Sequence, residues 1–224
     1  ELRSRNVMKR VTLLEGRAIS TGRNLSFYPI INLLKHWSHI RDEDTSATAT
    51  NKLETAIRRV CPKDTNEILP FVVTLMGMKL SDRHKDRLKG IEGEALEKLI
   101  FKNMRDLLIK SSVLKPLVIV IEDLHWADTS SIELLEYLFR LAETQKVLFI
   151  NVFRPDHTQT GERIIKTIKE KLAIDYIEIR LQPLNLQMSE TLIDNMLNIR
   201  GLKHAIVDQI IQRSGGNPFF IEEV

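Results

Sequence analysis

Two adjacent carboxylates, Glu122 and Asp123, close the stretch LVIVIED, where five apolar residues run straight into charge. A buried carboxylate pair is costly unless it lies at an edge or holds a cation. A second apolar run, VLFINVF, ends in Arg154. Acids at one strand end and a guanidinium at the next could flank a Mg²⁺–phosphate unit. One carboxylate would hold the metal or its waters, and the other would orient an attacking water. The arginine would neutralise charge developing on a terminal phosphate. The same residues also suit a plainer arrangement, in which the two acids exit to solvent and cap the next turn.

These roles require elements that bring strand ends together. PLVIVIED is β-branched and lacks alternation, as expected for a central parallel strand covered on both faces. ADTSSIELLEYLFRLAETQ then predicts a helix with Asp128 as its N-cap. KVLFINVF predicts a second buried strand, residues 161–172 a helix, and YIEIRLQPL a third strand. Upstream, residues 11–15 predict a short strand, followed by Gly16, and Pro29 opens a helix that runs to Ile40. Helical spacing recurs over 46–60, over 65–77 and through EGEALEKLIFKNMRDLLIKSS. From Asn185 onward only helices are predicted: 188–198, 203–213 and one starting at Pro218. Alternating strands and helices indicate an α/β fold: a parallel sheet flanked by helices, with a C-terminal helical subdomain. Ligands of such sheets bind outside the carboxyl ends of the strands, which is what singles out Glu122, Asp123 and Arg154.

Composition removes several alternatives. The 224 residues carry a net charge of +3, with Lys and Arg interleaved among acids as in DRHKDRLKGIEGE. That pattern describes solvated helix faces, so nucleic acid is not an expected partner of this domain. A lone cysteine, Cys61, excludes an internal disulfide and a cysteine-based zinc site, and it fits a reducing, cytoplasmic setting. No apolar run approaches the ~18 residues that a membrane span needs, so no membrane partner is expected. His36 and His39 lie three apart with no third ligand in view and are expected at the surface; Arg17 and Arg23 could reach nucleotide or a partner, with solvated surface the expected place for both. His125 and Trp126 are expected to be packing anchors, with His125 available to orient an acid. Phe219 and Phe220 are expected in the core.

LVIVIEDLHWADTSSIELL resembles the Walker B segment of predicted ATPase domains in the STAND branch of P-loop NTPases, close to AAA. Such domains occur in LuxR-type transcription activators and in soluble adenylate cyclases. VLFINVFRPDH is similar to the sensor strand of these domains, SGGNPFFIEEV to their closing GGNPFFLEE element, and EGRAISTGRNLSFYPIINLL to the strand and helix that follow the P-loop. The resemblance is weakest over about residues 45–110. It implies a P-loop NTPase-like sheet over residues 1–184 and the start of a helical lid over 185–224. It also implies that Glu122 is the Mg²⁺-associated acid, Asp123 the acid that polarises the hydrolytic water, and Arg154 the sensor of the γ-phosphate. Glu–Asp stands where the family more often has Asp–Asp or Asp–Glu, which leaves the division of labour between the two acids open. Asn217 and Pro218 resemble the element that packs near the adenine and couples nucleotide state to the lid.

One motif of that family is missing. None of the nine glycines is followed by Lys-Ser or Lys-Thr, so Walker A, with its backbone cradle, lysine and Mg²⁺-binding hydroxyl, is absent. ELRSRNVMKR resembles the tail of the P-loop helix, and truncation of a longer chain is the expected explanation. As given, the chain is expected to bind ATP weakly or not at all, whereas the parent would use ATP and Mg²⁺. The expected function is part of a regulatory ATPase switch in a larger signalling protein. Its expected partners are effector and sensor domains of the same chain, with self-association as an addition. The alternative is a pseudo-ATPase scaffold for protein contacts. A DNA-binding module built on the C-terminal helices fits poorly with their mixed charge.

Overall fold

The computed structural model describes residues 9–22, 25–80, 82–154, 158–172, 176–197 and 204–223. It sets three strands side by side in chain order: β1 (Thr12–Arg17), β2 (Leu117–Glu122) and β3 (Val147–Asn151). Both pairings are parallel, with Arg17 opposite Glu122 and Ile121 opposite Asn151, so all three carboxyl ends lie at one edge. Helices fill the connections: α1 (Tyr28–Trp37), α2 (Ser46–Val60), α3 (Thr65–Leu75), α4 (Asp82–Lys85) and α5 (Gly93–Leu114) between β1 and β2. Between β2 and β3 lie α6 (Thr129–Phe139) and α7 (Leu141–Thr144), and α8 (Thr158–Lys171) follows β3. The architecture is the predicted α/β class.

The chain divides into two compact units, Glu1–Asp175 and Tyr176–Val224. In the first, the inward faces of the strands (Leu14, Leu117, Ile119, Ile121) share one core with the helices between β1 and β2 (Leu53, Ile57, Val72, Met104) and with Leu134 and Phe139 of α6. Burying such side chains contributes about 1.5–3 kcal/mol each and is what holds the strand ends in register. In the second, α9 (Leu186–Leu197), α10 (His204–Ser214) and α11 (Pro218–Glu223) enclose a small core of Ile193, Val207 and Ile221.

Three expectations are corrected. KVLFINVF is not fully buried: among the described residues β3 is an edge strand, and Leu148 and Ile150 are exposed. YIEIRLQPL forms no strand. Among the described residues no neighbouring strand offers it a ladder, and Ile177, Ile179 and Leu181 remain exposed. Phe219 and Phe220 stack edge to face on each other and are exposed; Ile221 enters the core in their place. As expected, His36 and His39 are exposed.

Cys61 ends α2 inside the core, 1% exposed, and burial pushes its thiol from 9.0 up to about 11. The folded chain therefore keeps this proton after the unfolded chain has released it. Stability from the site is full below about pH 9 and is lost as pH rises toward 11. The loss amounts to about 2–3 kcal/mol at ~1.4 kcal/mol per unit. Urea unfolding at the two pH values should show a steeper alkaline loss for the natural chain than for Cys61→Ala. Parallel losses would refute the assignment.

Candidate functional site

The edge formed by the three strand ends is built from the backbone outward. β2 is central, and its alternation buries Leu117, Ile119 and Ile121 while turning Glu122 outward, with its side chain 53% exposed. The ladder continues past the strand ends. The Ala18 N–H donates to the Glu122 carbonyl at 3.0 Å, and the Val152 N–H donates to the Ile121 carbonyl at 2.9 Å. The chain then turns sharply at Asp123, which adopts the left-handed conformation (φ 53°, ψ 34°), one that Asp and Asn tolerate better than most residues. This turn sends Leu124 and His125 inward as the first residues of a short 3₁₀ turn and leaves the Asp123 carboxylate beside that of Glu122.

A third charged group joins them. Arg17, the last residue of β1, places Nε 2.8 Å from Asp123 Oδ2 and 3.8 Å from Glu122 Oε2. The hydrogen bond to Asp123, followed by the charges of Asp123 and Glu122, holds the guanidinium pKa above its ordinary value. Arg17 was expected to be a solvated surface residue, and its side chain is indeed 62% exposed. What that reading missed is its position. Arg17 closes a parallel strand at the same edge as Glu122, so the strand-end rule that singled out Glu122 and Arg154 applies to it equally. Arg23 lies outside the described residues.

Asp128 caps α6 as predicted, its Oδ1 accepting from the Ser131 N–H at 2.9 Å. The same oxygen accepts from the Phe27 N–H at 3.1 Å, which the sequence did not signal. Phe27 has φ 63° and immediately precedes α1. One buried carboxylate therefore ties the loop after β1 to the loop after β2. His125 is buried, as a packing anchor should be, and its ring lies 5.0 Å from that of Trp126. Its Nδ1 accepts from the Arg154 N–H at 3.4 Å, so His125 contacts the backbone at Arg154.

Arg154 itself lies beyond β3 and is exposed. Among the ion pairs of the described residues, only Arg17 reaches Glu122 or Asp123. Asn217 and Pro218 belong to the second unit, where Pro218 begins α11 and Asn217 Oδ1 accepts from the Phe219 N–H at 3.1 Å. The preceding turn needs its glycines. Gly216 has φ 74°, and a Cβ there would stand 2.4 Å from the Leu184 carbonyl oxygen.

Two neighbouring carboxylates at an open edge are hard oxygen donors. Among the described residues no group of three or more His, Cys, Asp or Glu could hold a metal alone. That donor set fits Mg²⁺, which is commonly held by one or two carboxylates together with waters and phosphate oxygens. It does not suit zinc, which takes three or four protein ligands.

A family model described as AAA ATPase domain matches residues 2–150, a span that includes β1, β2, Arg17, Glu122, Asp123 and Asp128. No curated protein and no solved structure matches the chain.

Proposed function

Since the chain belongs to the AAA ATPase domain family, we propose that it is part of an ATP-binding and ATP-hydrolysing regulatory switch of the STAND branch, set in a larger signalling protein. The observation that carries this reading is the placement of Glu122 and Asp123 at the carboxyl end of the central parallel strand. Glu122 holds Mg²⁺ or its waters, and Asp123 accepts hydrogen bonds from the attacking water and polarises it. When bound, the Mg²⁺ ion neutralises charge on the phosphates. Arg154 answers charge on the terminal phosphate. Asn217 and Pro218 mark the turn through which residues 185–224 respond to nucleotide. A cytoplasmic setting and effector or sensor domains elsewhere in the same protein belong to this reading. Among the described residues no helix is long and apolar enough to cross a membrane.

A second reading, a pseudo-ATPase scaffold, is favoured by the absence of G-x-x-x-x-G-K-[ST] from all 224 residues. The two separate in one comparison, with MgATP binding and phosphate release measured on residues 1–224 and on the full natural protein that contains them. The switch reading expects weak or no binding by the shorter chain, and binding with slow turnover by the longer. Absence of both activities from the longer protein would sink the switch and leave the scaffold.

A further inference from the structure

The two acids that would receive a cation are already facing a positive charge from the chain itself. Arg17 Nε lies 2.8 Å from Asp123 Oδ2 and 3.8 Å from Glu122 Oε2. Its backbone is anchored: Arg17 pairs with Glu122 in the ladder, and its N–H donates to Asn32 Oδ1 at 3.1 Å. Its side chain is not enclosed, being 62% exposed, so the guanidinium is free to leave while its Cα stays in place. Among the described residues no other cation is ion-paired with either acid.

We infer that Arg17 is a built-in competitor for the cation position at Glu122 and Asp123, and that a divalent cation binds there by displacing the guanidinium. The inference rests on the reading, given under the proposed function, of this strand end as a Mg²⁺ site with Glu122 as the metal acid, and it adds the regulation of that site. The physical reason is electrostatic. Two carboxylates side by side repel each other, and a single counter-charge relieves that repulsion. A divalent ion inserted beside Arg17 meets a like charge within a few ångströms. With the guanidinium in place one of the two negative charges is balanced at no cost in ordering a metal; with it displaced both acids are open to a cation that brings further ligands. The barrier is modest, because an exposed ion pair is screened by water and salt. Arg17 therefore sets a threshold for cation entry without closing the site.

The test is a Mn²⁺ titration of the 224-residue chain at low ionic strength, with free Mn²⁺ read by electron paramagnetic resonance. Arg17→Gln is expected to bind Mn²⁺ about three- to tenfold more tightly than the natural chain. Arg17→Met, which keeps the aliphatic stem, should do the same. Arg17→Lys should gain less than Arg17→Gln, because it retains the charge. Adding Glu122→Gln to Arg17→Gln should cancel the gain. Lys35→Gln, which removes an equal charge from an amine paired with Asp42, should change nothing. The inference is overturned if Arg17→Gln and Arg17→Met bind Mn²⁺ no better than the natural chain, if Arg17→Lys gains as much as Arg17→Gln, or if Lys35→Gln gains equally. Failure of the switch reading shows separately, as absence of MgATP binding by the full protein, and leaves this titration interpretable.

Discussion

Gly16→Ala is expected to lower the stability of the first unit by about 1–3 kcal/mol, the usual cost of forcing a methyl group into a packed interior. Gly16 lies in β1 opposite Ile121, immediately before Arg17. A Cβ at this position would stand 2.4 Å from the Pro29 carbonyl oxygen, 3.1 Å from Leu33 Cβ and 3.2 Å from Ile121 Cδ1. Ile121 could yield through its side chain. The Pro29 oxygen belongs to the first turn of α1 and yields only if the helix moves off the sheet. One effect opposes this loss: alanine restricts the unfolded chain more than glycine does, which stabilises by about 0.4–1 kcal/mol at a compatible site. A contact of 2.4 Å with backbone outweighs that gain. Both tryptophans, Trp37 and Trp126, lie in the first unit, so urea unfolding followed by tryptophan fluorescence reports on this unit. A midpoint equal to or above that of the natural chain would show that β1 and α1 are not in the close contact described.

The same close contact explains why some of this protein could be read from its sequence and some could not. Apolar runs such as LVIVI declare a strand, and β2 lies where that run does, but only Leu117, Ile119 and Ile121 are buried while Val118 and Val120 stay half-buried, so the expected cover on both faces is incomplete. Asp128 was readable as a cap because capping is a contact between near neighbours, and the Ser131 N–H is where it should be. Its second partner, the Phe27 N–H, is 101 residues away, and nothing local announces it. YIEIRLQPL has the alternation and β-branching of a strand, but a strand also needs a neighbour's ladder, which no local pattern encodes. Phe219 and Phe220 failed for a related reason. Over a six-residue helix the choice of which apolar side chains turn inward depends on the packing of α9 and α10, and Ile221 takes the inward position. Glu122 and Asp123 were legible as a pair because two acids directly after an apolar run contradict the burial around them. Their pairing with Arg17 was not, since an arginine after a predicted strand contradicts nothing around it and signals only a reach toward ligand or solvent. Only the parallel register of β1 on β2 brings it to the acids.

In a protein that hydrolyses ATP through this domain, Asp123→Asn is expected to reduce turnover by at least about 10²-fold, the usual contribution of a positioned general base. MgATP affinity should stay within about threefold, because Glu122 retains the metal role. Asparagine isolates the carboxylate charge more cleanly than alanine. Asp123 occupies the left-handed region at φ 53°, where Asn is tolerated and β-carbon crowding disfavours most other residues. The amide also keeps an oxygen that can accept from Arg17 Nε, so the bond at 2.8 Å can survive in neutral form. What disappears is the negative charge that balances the guanidinium and is proposed to polarise water. Glu122→Gln should give the complementary phenotype: weaker Mg²⁺-dependent nucleotide binding, with turnover recovered in part at high Mg²⁺. The two variants together decide which acid does which work. Retained hydrolysis in Asp123→Asn would overturn the role given to Asp123. If Glu122→Gln instead gave tight binding without turnover, the roles of the two acids would be exchanged, with the outward-facing Glu122 acting on the water and Asp123 holding the metal.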